Sequence, residues 1–174
     1  MGYTTEFDGQ LAIEPPLRPE HRTYLQRFSQ TRRVKRDSWL AERLPDPVRV
    51  AADLPIGPEG SYFVGSYDDF SGTDPSVIDV NTPHAPFTDS LYCSWAPHED
   101  GSALGWTGAE MFYEYATWLE FLVRHFLGPW RYRLNGRIDW QGDDPDDRGR
   151  IFVRDNVLVV VPADITVQDP FVDS

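Results

Sequence analysis

TGAEMFYEYATWLEFLVRHFLGPW, running from Thr107 to Trp130, is the stretch on which the reading of the fold turns. Met111, Phe112, Tyr115, Trp118, Leu119, Leu122, Val123, Phe126 and Leu127 recur at steps of one, three and four. That spacing places all nine on one broad helical face. Thr107 with Glu110 three residues on has the form of a capping box. Gly128-Pro129 is a stop signal, because glycine takes the left-handed conformation readily and proline cannot continue a helix. The spacing therefore predicts a helix over about 108–127, with a face too apolar to stand in water.

On the N-terminal side of this stretch, Leu91, Cys93 and Trp95 alternate inward, Pro97 to Gly101 is turn chemistry, and Leu104 and Trp106 resume the alternation. That is a hairpin. After Pro129 come Tyr132, Leu134, Ile138 and Trp140, an acidic loop Asp143 to Asp147, and then Ile151 and Val153. Asp155-Asn156 is a two-residue turn that tolerates positive φ, with Val157 to Val161 returning as a further strand. At the start of the chain, Tyr3, Thr5, Phe7, Leu11 and Ile13 alternate with polar residues, which predicts a strand with one buried face. Gly9 falls on its inward register, where a bulge or a close backbone contact is expected. Pro19 opens a second helix over about 19–33, with Tyr24, Leu25 and Phe28 as its stripe. Residues 34–60 are broken by Pro45, Pro47, Pro55 and Pro58. A short helix at Ser38–Arg43 and short extended pieces at Tyr62–Val64 and Val77–Val80 are the only elements expected between the first helix and the hairpin. Residues 163–174 read as a loose polar tail.

The order strand, helix, hairpin, helix, strand is that of a split βαβ. The expectation is an α+β fold: an antiparallel sheet with two main helices on one face, a ferredoxin-like core with a C-terminal strand extension. It forms a single domain over 1–162 with an irregular insertion at about 34–90. A chain of 174 residues suffices for such a core, and at 14% aromatic content rings dominate its burial.

Fifteen arginines and the single Lys35 oppose 28 acids, for a net charge of −12. The imbalance is uneven: residues 1–36 carry +3, 37–136 carry −10 and 137–174 carry −5. A negative body repels nucleic acid at long range, so direct nucleic-acid binding is not expected. No apolar run reaches membrane-spanning length, and the start of the sequence lacks a basic-then-apolar signal pattern. A lone cysteine forms no intramolecular disulfide. The expected setting is the cytoplasm, without a membrane.

Arg32-Arg33-Val34-Lys35-Arg36 is the basic cluster of the sequence. At a helix C-terminus its ordinary role is to complement the helix dipole and the acidic body. Its functional reading is an anchor for phosphate or nucleotide, in which Arg32, Arg33, Lys35 and Arg36 bind the ligand. No glycine-rich phosphate loop accompanies it. Asp143, Asp144, Asp146 and Asp147 lack the glycine and distal glutamate of an EF-hand and read as a solvated hairpin loop. Cys93 with His84, His98 or His125 is the material of a thiol nucleophile, but an inward cysteine ordinarily packs as a small apolar residue. His98-Glu99-Asp100 reads as a polar hairpin tip and His125 as a helix flank. Tyr113, Phe121, Trp130 and Trp140 border the main apolar face as core edges. No metal spacing and no cofactor motif is present in the sequence, so neither a metal nor a cofactor is expected.

Several stretches together carry a likeness: Met1-Gly2-Tyr3-Thr4-Thr5; Thr31-Arg32-Arg33 through Asp37; Gly57-Pro58-Glu59-Gly60 before Tyr62-Phe63-Val64; Trp118-Leu119-Glu120 through Pro129-Trp130; and Leu134-Asn135-Gly136 before Trp140-Gln141-Gly142. Over most of its length the chain resembles a family of small bacterial and phage proteins with no assigned activity. The resemblance implies a compact stand-alone protein and carries over no catalytic residue. Three functions remain open. The first is a non-enzymatic binding or regulatory protein with a protein partner. The second is a nucleotide- or small-molecule phosphate-binding protein, or an enzyme, using the run at 32–36. The third is an acidic nucleic-acid mimic that inhibits a basic partner. The sequence does not specify a homo-oligomeric state.

Overall fold

The computed structural model describes residues 2–65, 74–162 and 170–171. It is an α+β fold with a six-stranded antiparallel sheet. The chain divides into two compact units, one formed by residues 1–17 with 94–174 and the other by 18–93.

The first unit holds the sheet. Its strands are β1 (Thr5–Glu14), β2 (Trp95–Pro97), β3 (Ala103–Trp106), β4 (Arg133–Gly142), β5 (Arg148–Arg154) and β6 (Val157–Pro162). Their order is β2-β3-β1-β4-β5-β6, and every neighbouring pair runs antiparallel. β1 and β4 pair without interruption from Thr5 opposite Gly142 to Glu14 opposite Arg133. Gly9 therefore makes no bulge. It sits at φ +107°, and a Cβ there would lie 2.5 Å from the Arg137 carbonyl oxygen, so this is a close backbone approach that only glycine allows. Period two divides the sheet into two faces. Leu11, Ile13, Leu134, Ile138, Ile151 and Val153 are buried on one, while Glu6, Asp8, Gln10, Arg137, Gln141 and Arg148 are exposed on the other.

The long helix starts later than the capping box suggests. α4 runs Tyr115–Leu122 and continues as a π turn, Val123–Leu127. Thr107 does not cap it. The Thr107 N–H bonds the Ser94 carbonyl and so continues the hairpin, while its hydroxyl accepts from Ala109 N–H at 3.3 Å. Met111 and Glu114 then take positive φ, and Met111 is left exposed. Tertiary packing decides this. Phe112 leaves the helical path to join a ring cluster with Phe7 (5.7 Å) and Trp95 (5.1 Å). Tyr115 packs on the same Phe7 at 5.0 Å, which seats the helix on the apolar face of the sheet. Trp118, Leu119, Leu122, Phe126 and Leu127 are buried as the spacing requires.

The helix end also differs from the expected glycine cap. Gly128 stays helical at φ −63°, and its N–H returns five residues to Val123 O at 2.8 Å. Pro129 has no N–H for the carbonyl of His125 and its ring crowds that carbonyl, so the widened π turn accommodates it. The left-handed position falls on Arg131 (φ +71°). Tyr132 N–H bonds Leu127 O and Arg131 N–H bonds Gly128 O, the paired bonds of a Schellman motif.

The second unit is mostly irregular. It contains α1 (Pro19–Gln30), α2 (Ser38–Glu42), α3 (Pro47–Ala51) and a short 3-10 turn at Pro58–Gly60. α1 ends three residues before the expected bound, and Tyr24, Leu25 and Phe28 are its buried stripe. Asp37 caps α2 by accepting from Leu40 N–H at 3.0 Å. α3 was not expected, since Pro47 reads as a breaker, yet it occupies the first turn, where its missing N–H costs nothing. Neither Tyr62–Val64 nor Val77–Val80 forms a strand; Val77 makes only an isolated bridge to Arg36. Of the expected tail, only Pro170 and Phe171 are among the described residues.

Candidate functional site

The basic run lies in the second unit and is its structural axis. Arg32 to Asp37 passes in extended form between two loops, each of which bonds its backbone. Arg33 N–H donates to Leu91 O, Lys35 N–H to Thr82 O, Arg36 N–H to Glu59 O and Asp37 N–H to Ser76 O. The side chains are engaged as well. Arg33 is 1% exposed. Its Nη1 donates to Phe63 O and its Nη2 to Ser61 O, both at 2.7 Å, and its guanidinium stacks on the Phe28 ring at 4.1 Å. Nε donates to His84 Nε2 at 3.4 Å. That bond makes Nε2 the acceptor, so His84 is neutral and donates from Nδ1 to Ala85 O at 3.0 Å. Burial without a carboxylate at contact lowers the Arg33 pKa to about 10.

Arg36 is also buried, stacked on Phe63 and bonded to Asp74 and to Ser76 Oγ. Burial alone would raise the Asp74 carboxyl, but the bonds from Ser76 and Arg36 hold it below its ordinary value. The two remaining members of the run are closer to solvent. Lys35 pairs with Glu59 at 3.2 Å, and Arg32 donates to Val80 O at 2.9 Å and Asn81 Oδ1 at 3.3 Å. The structure thus brings the four cations onto one segment but not onto one surface. Arg33 and Arg36 hold the loops at 57–63 and 74–92 in place.

The second unit has one further buried ion pair that the sequence does not announce. Asp46 accepts from Arg49 Nε at 2.7 Å, from Gly65 N–H at 2.8 Å and from Val64 N–H at 3.3 Å. Its side chain is fully buried.

The other candidates have local explanations. Cys93 is buried, just ahead of β2 rather than in a strand. The tip at His98–Asp100 closes the β2–β3 hairpin, with Asp100 accepting from Ser102 N–H and Oγ. His125 stacks on Phe121 at 4.2 Å, and burial, with Arg124 beside it, lowers its pKa. In the acidic loop, Asp147 accepts from Tyr3 OH (2.6 Å) and Trp140 Nε1 (3.0 Å), and Asp143 accepts from Thr4 N–H. Among the described residues no group of three or more His, Cys, Asp or Glu is placed to hold a metal ion. No helix among them is long and apolar enough to cross a membrane.

A concavity lies on the polar sheet face of the first unit. It is a depression of about 390 Å³ across β1, β4 and β5. Glu6, Asp8, Asp139, Gln141, Arg148 and Arg150 supply its outward side chains. Strand register sets them in rows: Glu6, Gln141 and Arg148 across one, Asp8, Asp139 and Arg150 across the next. Asp139 takes Arg150 at 3.3 Å and Arg137 at 3.4 Å. Arg148 has no side-chain partner among the described residues and is exposed. A guanidinium open to water beside an ordered row of polar groups can receive a carboxylate in a bidentate bond. None of these positions stands out as a site in the sequence. Their period-two alternation was visible, but only strand register shows that they converge.

A second depression, about 440 Å³, adjoins it over Phe152. There Phe171 comes back to the sheet, and its carbonyl accepts from Arg154 Nη1 at 2.6 Å. No family model, no curated protein and no solved structure matches this chain.

Proposed function

We propose that this chain is a non-enzymatic binding protein of the cytoplasm that engages a protein partner through the polar face of its sheet. The observation that carries the reading is the open Arg148 guanidinium in the depression shared with Glu6, Asp8, Asp139, Gln141 and Arg150. Acids on β1 and β4 face arginines on β5, so the depression carries both signs of charge, which suits a polar protein surface better than an apolar small molecule. In the same reading the sheet is ferredoxin-like: the order β2-β3-β1-β4, antiparallel throughout, is the order that a split βαβ produces, and β5 and β6 extend it. Such a fold fixes no function by itself. The proposed kinship is with the small bacterial and phage proteins that the chain resembles.

The alternatives have weaker support. A phosphate anchor at the basic run would rest on Arg32 and Lys35, because Arg33 and Arg36 are turned to internal acceptors. Nucleic-acid mimicry needs acids presented outward in a row. Of the acids at 37–136, Asp37, Asp46, Glu59, Asp74, Asp79 and Asp100 accept bonds within the fold.

Native mass spectrometry of the protein purified from its own host tests all three. A protein adduct that is lost in Arg148→Glu but kept in a variant with Arg32→Gln and Lys35→Gln supports the proposal. A phosphorylated small molecule with the reverse dependence favours the second reading. A basic nucleic-acid-binding adduct indifferent to both variants favours mimicry.

A further inference from the structure

β6 is the last strand of the sheet among the described residues, and it is built unlike a protected edge. Val157-Leu158-Val159-Val160-Val161-Pro162 contains no charge and no polar side chain. Val157 is 57% exposed and Val160 44%. Edges that stay single are normally interrupted by lysine, an inward charge, a bulge or a proline within the strand. Here proline comes only at the end. In a chain of net charge −12, this is an uncharged strand of high β propensity.

The hairpin fixes which backbone groups face outward. Asp155 and Asn156 form the two-residue turn at φ +47° and +72°, so the flanking pair Arg154 and Val157 exchanges both backbone bonds. Alternation then turns Val157, Val159 and Val161 toward β5. It leaves the N–H and C=O of Leu158 and Val160 pointing away from the sheet. Pro162 faces outward too, but has no N–H to offer.

We propose that β6 pairs with β6 of a second copy of this chain, antiparallel about a two-fold axis, to make one continuous twelve-stranded sheet. The strand is complementary to itself in one register. With Leu158 opposite the second copy's Val160, and the converse by symmetry, all four outward N–H groups find outward carbonyls. Val159 then meets its own copy on the axis, and Val157 meets Val161. Both faces of the junction carry only valine and leucine. Placing Val160 opposite itself instead would set Leu158 against Pro162, whose missing N–H forfeits two of the bonds. A different partner would need an extended segment equally apolar on both faces, and β6 itself meets that description. The symmetry is isologous and closes at two subunits.

Two variants and sedimentation velocity over a dilution series test this on the full chain. Val160 faces β5 as a pair that exchanges no backbone bonds, so Val160→Pro leaves the monomer ladder intact while removing two intersubunit donors. The wild type is expected to show a concentration-dependent dimer. In Val160→Pro the dissociation constant should rise roughly tenfold or more, from the loss of two hydrogen bonds. Val159→Cys reads the register directly. Residues opposed in a pair without backbone bonds have Cα atoms about 4.5 Å apart, within reach of a disulfide. Mild oxidation with copper phenanthroline and oxygen should therefore give a covalent dimer of Val159→Cys but not of Val157→Cys, and not of the wild type, whose Cys93 is buried. A wild type that stays monomeric through the series overturns the proposal. So does a dimer that survives Val160→Pro but is lost in Ile78→Lys, a change at an exposed apolar residue of the other unit. If Val160→Pro does not fold, the cysteine variants decide alone, and failure of Val159→Cys to cross-link refutes the pairing.

Discussion

Replacing Asp46 with alanine should unfold or nearly unfold the second unit. The carboxylate is fully buried and neutralises Arg49, which is itself only 7% exposed. Breaking a buried pair by removing one partner leaves an uncompensated charge, at a cost of about 3–5 kcal/mol. Two backbone donors, Val64 N–H and Gly65 N–H, also lose their acceptor. A buried donor left without a partner costs about 1–3 kcal/mol. Some of this is recovered, because Arg49 keeps its bond to Leu54 O at 2.8 Å and water can enter the vacated volume. About 4–6 kcal/mol remains as the expected loss. That is comparable with the whole stability of many domains. The assay is equilibrium urea unfolding by far-ultraviolet circular dichroism, with hydrogen exchange at Val64 and Gly65 to localise the effect. Asp46→Ala combined with Arg49→Leu removes the orphaned cation and should be more stable than Asp46→Ala alone by roughly 2 kcal/mol. A loss below about 1.5 kcal/mol for the single variant would refute the reasoning, as would a double variant no better than the single.

Four further outcomes are expected. Trp118→Ala removes a fully buried ring and should cost about 3–5 kcal/mol in the same melts. Thr107→Ala should change stability by less than about 0.5 kcal/mol, because the hydroxyl caps no helix; a loss near 1 kcal/mol would mean that the helix starts at the capping box after all. Tyr115, pushed up to about 12 mainly by burial, with the charges of Asp147 and Tyr3 adding to it, has a folded pKa above its unfolded value of 10.0. Its contribution is therefore complete below pH 10 and lost as pH rises toward 12, so Tyr115→Phe should flatten the alkaline limb of a stability–pH curve. Arg33 slopes the other way, since burial puts its folded pKa below its unfolded one, and Tyr115→Phe leaves that slope in place. Cys93 should react slowly with a thiol reagent in the native chain and quickly in urea; rapid native labelling would contradict its burial.

What could be read from the sequence was what depends on neighbours along the chain. Period two in β1, the Asp155-Asn156 turn and the 3.6-residue spacing around Trp118 are local patterns, and each has its structural counterpart. The start of α4 was misread because Phe112 gains more from the rings of Phe7 and Trp95 than from a helical position. α3 was legible in principle, since Asp46-Pro47 places proline where a helix can begin. The second unit was the hardest to read. Its order comes from bonds between Arg33 and carbonyls 28 and 30 residues away, and a carbonyl leaves no mark in a sequence. An arginine held by backbone oxygens and one awaiting a phosphate look alike until the chain is folded. The polar depression on the sheet was hidden for a related reason: its residues come from three strands, and only their register brings Glu6, Asp139 and Arg148 together.

The central place of β1 in the sheet bears on how the chain emerges from a ribosome. Residues 5–14 are made early, yet the ladder that holds them on one side belongs to residues 133–142 and on the other to residues 103–104. At about 5–20 residues per second, β1 waits roughly 6–25 s for β4. Until the β2–β3 hairpin is made, its apolar side, with Phe7, Leu11 and Ile13, has no strand to pair beside, and until β4 is made it lacks its longer ladder. Residues 18–93, by contrast, form a compact unit of their own, and they are complete before the second half of the sheet exists. The order of synthesis thus favours folding the inserted unit first and the unit around it last. A chain stalled before residue 133 would carry a finished second unit tethered to a β1 that lacks its ten-pair ladder.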